Sequence, residues 1–171
     1  MKIIEALKKI KDLQRKASDL RDKMAKYSAK MSFEESTYVD QRAKINSWMQ
    51  AHHDIVMQIE NLRERVAKTN IMTPVTIDLH GREITKSIHS WISRRRDLCD
   101  LDVAAWMKLT DRNLHDQAIR GTSDPSAVVE FRVVRFYDQE ERDDKVDKYR
   151  SEKTIIDGKL EIVNAITDLL D

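Results

Sequence analysis

Apolar side chains recur at steps of three and four from the amino terminus: Ile3, Ile10, Ala17, Met24 and Met31 fall seven apart, and Ala6, Leu13, Leu20 and Tyr27 follow three residues after the first four. This repeat of a and d positions predicts one helix over residues 3 to 31, packed against a neighbour in coiled-coil geometry. The outward positions interleave Lys and Arg with Asp and Glu. Such a mixture reads as a solvated face rather than a stripe for nucleic acid.

The pattern breaks at Ser32-Phe33-Glu34-Glu35. A serine followed three residues later by a glutamate matches a capping box, with Ser32 accepting from the Glu35 amide and Glu35 reaching back, so a second helix is predicted to start there. Its seam runs through Tyr38, Ile45, His52, Ile59 and Val66, with Trp48, Ile55 and Leu62 between them. Two long helices joined by a short connection most simply fold back as an antiparallel hairpin, here over residues 3 to 70.

Pro74 disfavours helix at Thr73, and Gly81 permits a turn denied to other residues, so Met72 to Arg82 reads as an extended segment plus turn. Helical spacing returns from Glu83 to about Asn113, with Ile84, Ile88, Trp91, Leu98, Trp106 and Leu109 forming a stripe. Residues 114 to 127 read as a loop, with turn chemistry at Gly121-Thr122-Ser123-Asp124-Pro125. Ala127 to Phe136, rich in β-branched and aromatic residues, is the strand candidate, and Val75 to Leu79 is its expected partner. A last helix runs from Asp138 to the end. The expected fold is therefore mainly α, one domain over 1–171, with long antiparallel coiled-coil-like helices and a minor two-strand β element. Residues 71–137 hold the central helix and short extended pieces.

Composition narrows this picture. The 171 residues include only three glycines and two prolines, and 36% are charged. Lys plus Arg number 31 against 30 Asp plus Glu, so no net field gathers the chain onto nucleic acid or an anionic membrane. No apolar run approaches the roughly 20 residues needed to span a bilayer. Cys99 stands alone, which excludes an internal disulfide and a multi-thiolate zinc site and points to a reducing, cytoplasmic setting. The last helix carries Ile155, Ile162, Ile166 and Leu169 beside its main stripe of Val146, Tyr149, Ile156, Leu160, Val163 and Leu170. A helix with two adjacent apolar faces needs more than one neighbour, and self-association into a homo-oligomer is expected.

Catalytic constellations are absent: there is no nucleophile elbow, no phosphate-cradling glycine loop, and no pair of histidines four apart. No metal, cofactor or enzymatic activity is expected. His52 falls on the seam and reads as a packing histidine, and His53 as an outward one. His80 beside Gly81 lies in a turn, where ligand contact and a turn role weigh equally. Arg94-Arg95-Arg96 cannot all face outward on one helix, and a guanidinium turned inward needs a carboxylate or an anionic ligand. One reading pairs these arginines internally, with Asp97, Asp100, Asp102 or a distant Glu. The other has Arg82, Arg132 and Arg135 converge with them on a phosphate or carboxylate. Opposite parity lets only one of Arg132 and Arg135 face such a site.

The chain resembles the septicolysin-like family, small bacterial and phage helical proteins of largely unknown function. The resemblance rests on Ile4-Glu5-Ala6-Leu7, Lys68-Thr69-Asn70, Gly81-Arg82 followed by Ile84-Thr85, Arg95-Arg96-Asp97, and the runs Val146 to Asp157 and Glu161 to Leu169. The chain lacks a tryptophan after Asn164 and carries a longer insertion at 114 to 127. The resemblance implies that Thr69, Asn70, Arg82, Arg95, Arg96 and Asp97 are recurrent polar positions. With Lys68, His80, Arg132 and Arg135 they form the candidate site of a non-catalytic oligomeric protein holding a small anionic, nucleotide-like ligand. The alternative is a structural or protein-interaction coiled coil without a small ligand.

Overall fold

The computed structural model describes residues 1–120 and 128–171, and the expected turn at 121 to 125 lies outside them. The chain is mainly helical, as its periodicity predicts. In order it forms α1 (Ile3–Tyr27), α2 (Gln41–Met72), β1 (Pro74–Asp78), β2 (Glu83–Ser87), α3 (Ile88–Ser93), a π-helical turn (Arg94–Leu98), α4 (Cys99–Met107), β3 (Gln117–Arg120), β4 (Val128–Phe131) and α5 (Gln139–Ile166). Two compact units arise from this order. Unit 1 comprises Met1–Val75, Thr85–His89 and Lys159–Asp171, and unit 2 comprises Thr76–Ile84 and Ser90–Gly158.

In unit 1, α1 and α2 pack as the expected hairpin. Ile3, Ala6, Ile10, Leu13 and Ala17 are buried on α1, and Trp48, Leu62 and Thr69 on α2. The seam loosens toward the connection, where Met31 is exposed. The connection itself corrects the expected capping box. Glu34, not Glu35, turns back, accepting from the Met31 amide at 2.9 Å, and the chain stays irregular from Ser28 to Asp40. Asp40 caps α2 by accepting from the Ala43 amide at 2.8 Å. The longer loop is held by Gln41, whose amide donates to the Tyr27 carbonyl and accepts from the Tyr38 amide. Tyr27, Tyr38 and Trp48 then close into a three-ring cluster, with centroids 5.5 to 5.8 Å apart. All three lie at predicted seam positions, so the aromatic ring contacts set where the loop ends.

Residues 167–171 leave α5 as an extended tail. Lys2 and Asp168 form an antiparallel bridge, the Ile3 amide donates to the Thr167 carbonyl at 3.0 Å, and the Leu169 amide to the Met1 carbonyl at 2.8 Å. Leu169 is buried. The last helix therefore stops five residues short of the expected end, because main-chain pairing with the start of α1 replaces helical bonding.

Two strand expectations are also corrected. Val75–Leu79 does not pair with the 127–136 segment: β1 pairs with β2, and β3 with β4 in antiparallel register, Gln117 opposite Phe131. Glu83–Ser87 is strand rather than helix, since a two-residue turn at His80-Gly81 returns the chain onto β1. Leu79 and Arg82 exchange backbone hydrogen bonds of 2.9 and 3.3 Å across it. Both central residues have positive φ, 57° and 81°, the geometry of the primed hairpin turns that match strand twist. Short-range turn chemistry thus overrides the helical spacing of Ile84 and Ile88. The central helix ends at Met107 rather than near Asn113, closed by a turn in which Arg112 and Asn113 both adopt positive φ.

Candidate functional site

The candidate residues fall into both units: Lys68, Thr69 and Asn70 in unit 1, and His80, Arg82, Arg95, Arg96, Asp97, Arg132 and Arg135 in unit 2. Each set is built up by itself.

In unit 2 the inward arginine is Arg94. The Cys99 amide donates to the Arg94 carbonyl, five residues back, in a π turn. That wider turn brings side chains five apart onto one face. Arg94 Nη2 and Nε donate to Glu152 Oε2 at 2.7 and 3.1 Å, Nη1 donates to Asp102 at 2.5 Å, and the Cys99 thiol donates to the same Glu152 oxygen at 3.6 Å. Glu152 is only 4% exposed. Burial alone would lower the Arg94 pKa, but the bonds to Glu152 and Asp102 outweigh it and the guanidinium is held charged. Burial likewise pushes the Cys99 thiol up, away from the thiolate a nucleophile needs. The guanidinium also lies over the Tyr149 ring, 5.5 Å from its centroid.

Arg95, Arg96, Arg132 and Arg135 are also matched. Arg95 pairs with Asp157, Arg96 with Asp97 at 3.7 Å, and Arg132 with Glu130 at 3.2 Å. Arg135 grips Asp111 with two bonds of 2.7 and 2.5 Å, and the Tyr137 hydroxyl adds a third at 2.9 Å. These bonds hold the Asp111 carboxyl down to about 2. A depressed folded-state pKa contributes stability that is present above the unfolded value of about 3.9 and lost as pH falls through the folded one. We expect the Asp111–Arg135 contact to survive at pH 4 and to open as pH drops toward 2, readable as the carboxyl-carbon NMR titration of Asp111. A midpoint near the unfolded value contradicts this geometry.

His80 serves the turn. Its Nε2 lies 3.2 Å from the Lys148 carbonyl and 3.3 Å from the Ser151 hydroxyl on α5. Arg82 closes the same hairpin through its backbone.

In unit 1, Thr69 is fully buried. Its hydroxyl donates to the Arg65 carbonyl at 2.7 Å and accepts from the Leu170 amide at 3.0 Å, clamping the tail to α2. Lys68 donates to the Asp171 carbonyl. Arg65, which sequence reasoning missed, donates to the Leu170 carbonyl at 3.1 Å and to the Asp171 carboxylate at 2.6 Å. One turn of helix before Thr69, it could have been found as the same-face neighbour of that residue. The Asn70 side-chain oxygen is buried with no hydrogen-bond partner.

Among the described residues, no group of three or more His, Cys, Asp or Glu side chains could hold a metal ion, and no helix is long and apolar enough to cross a membrane. No family model matches the chain, and no curated protein is similar to it. A crystal structure of a functionally unknown conserved protein from Corynebacterium diphtheriae is similar, with a TM-score of 0.58 and 20% identity over 99% of each chain. That likeness is one of fold.

Proposed function

We propose that this protein is a non-catalytic, self-associating helical protein that works by packing helices against another polypeptide. One observation carries the reading. On the last turns of α5, Leu160 and Val163 are buried, while Ile162 and Ile166 are 58% and 64% exposed. On the first turns of α1, Ile4 and Leu7 are likewise 36% and 45% exposed. The Lys2–Asp168 bridge brings these two helix ends together, so four large apolar side chains lie within about two turns of it. An exposed apolar patch of this kind marks an interaction surface. Fully burying an isoleucine side chain contributes about 1.5–3 kcal/mol, so the two on α5 supply part of the driving force for association, with Ile4 and Leu7 adding to it.

The internal pairing of Arg94, Arg95, Arg96, Arg132 and Arg135 supports this reading over a small anionic ligand held by the arginines. Replacing both Ile162 and Ile166 with glutamate changes only exposed positions. The doubly substituted protein is expected to sediment as a monomer with unchanged circular dichroism, and retention of wild-type sedimentation would exclude the patch as the interface.

A further inference from the structure

Two adjoining hollows of about 410 and 360 Å³ run along α2 in unit 1, joined through Asn61 and Arg65, which line both. Lys68 stands at one end and Lys9 of α1 at the other, with Met57 on the wall and buried Leu62 beneath. The side-chain cations Lys9, Arg65 and Lys68 thus line this groove with two carboxylates, Glu64 on α2 and Asp171 on the tail. The chain itself shows what such a groove holds. Arg65 takes the Asp171 carboxylate and the Leu170 carbonyl, and Lys68 takes the Asp171 carbonyl, so main chain and carboxylate of an extended segment are gripped together. The Asp171 side chain is otherwise fully open to solvent, a contact easily exchanged.

We infer that this face of α2 is a docking groove for an extended acidic segment of a partner protein, with Asp171 occupying its anion-binding end in cis. Arg65 and Lys68 supply bidentate and point-charge recognition of carboxylates and carbonyls. Lys9 extends the positive surface, and Met57 offers an adaptable apolar contact for a side chain between the acids. Charge complementarity disfavours a basic segment and favours an acidic over a neutral one. The groove shares the start of α1 and the tail with the surface proposed for self-association, so docking is tested on a chain in which that surface is altered.

The test is fluorescence anisotropy on the full chain carrying Ile162→Glu and Ile166→Glu, so that failure of self-association and failure of docking are read separately. The probes are fluorescein-labelled dodecamers alternating Leu with Asp and Glu, and matched peptides with Asn and Gln in place of the acids. The acidic set is expected to bind, the amide set at least tenfold more weakly. Lys9→Glu, remote from the tail contacts, should weaken binding about tenfold without affecting the fold; Arg65→Ala should weaken binding as well while also releasing the tail contacts to Leu170 and Asp171. Asp171→Asn should tighten it severalfold by freeing Arg65. Equal binding of the acidic and amide peptides overturns the inference. So does wild-type affinity in the Lys9→Glu protein, or binding of inorganic phosphate or a nucleotide at Arg65 with no response to the peptides.

Discussion

Replacing Arg94 with methionine is expected to destabilise the protein by about 3 kcal/mol or more, the largest single loss from any charged position. The change keeps the volume of the side-chain stem but leaves Glu152, 4% exposed, without the two guanidinium bonds that compensate its burial. Asp102, nearly half exposed, can turn to water and contributes little to the loss. Substituting Glu152→Gln in the same chain removes the stranded charge, so the double variant should recover a large part of the stability, a coupling that a double-mutant cycle isolates. Urea denaturation followed by circular dichroism measures each step. Additive losses in the cycle would mean that Arg94 and Glu152 do not act as a pair.

Trp48→Ala should cost a similar amount, about 3–5 kcal/mol as for other buried aromatic truncations. Trp48 is buried at the loop end of the α1–α2 hairpin and touches both Tyr27 and Tyr38. Each aromatic pair adds roughly 0.5–1.5 kcal/mol beyond area burial, and the cavity falls where the 28–40 connection is fastened. Trp48→Phe, which retains a ring, should cost markedly less. Thermal unfolding checks both, and equal losses for the two variants would contradict a role for the ring contacts.

The hairpin was readable because a and d positions repeat over many turns, and a long helix averages out local exceptions. Tyr38 and Trp48 were placed on the seam by spacing alone. The start of α2 was not, because Ser32-x-x-Glu35 and Asp40 offer competing caps and only the tertiary contacts of Gln41 and the aromatic cluster select the second. Likewise Glu83–Ser87 carries helix-compatible spacing, and the positive-φ turn at His80-Gly81 decides for strand.

The arginine run shows the same division. Spacing requires at least one of the three to turn inward, and pairing with Asp102 or a distant Glu is one of the two arrangements it allows. Which arginine turns inward depends on the π turn at Arg94–Leu98, a local widening with no spacing signature. Arg65 escaped notice because its importance comes from a tail over a hundred residues away.

Light scattering of the purified wild-type chain over a dilution series tests self-association most directly. The chain mass is 20.1 kDa. We expect a multiple of that mass at micromolar concentration, collapsing to a single chain when Ile162 and Ile166 are both glutamate. A wild-type mass of one chain across the whole series would contradict the proposal.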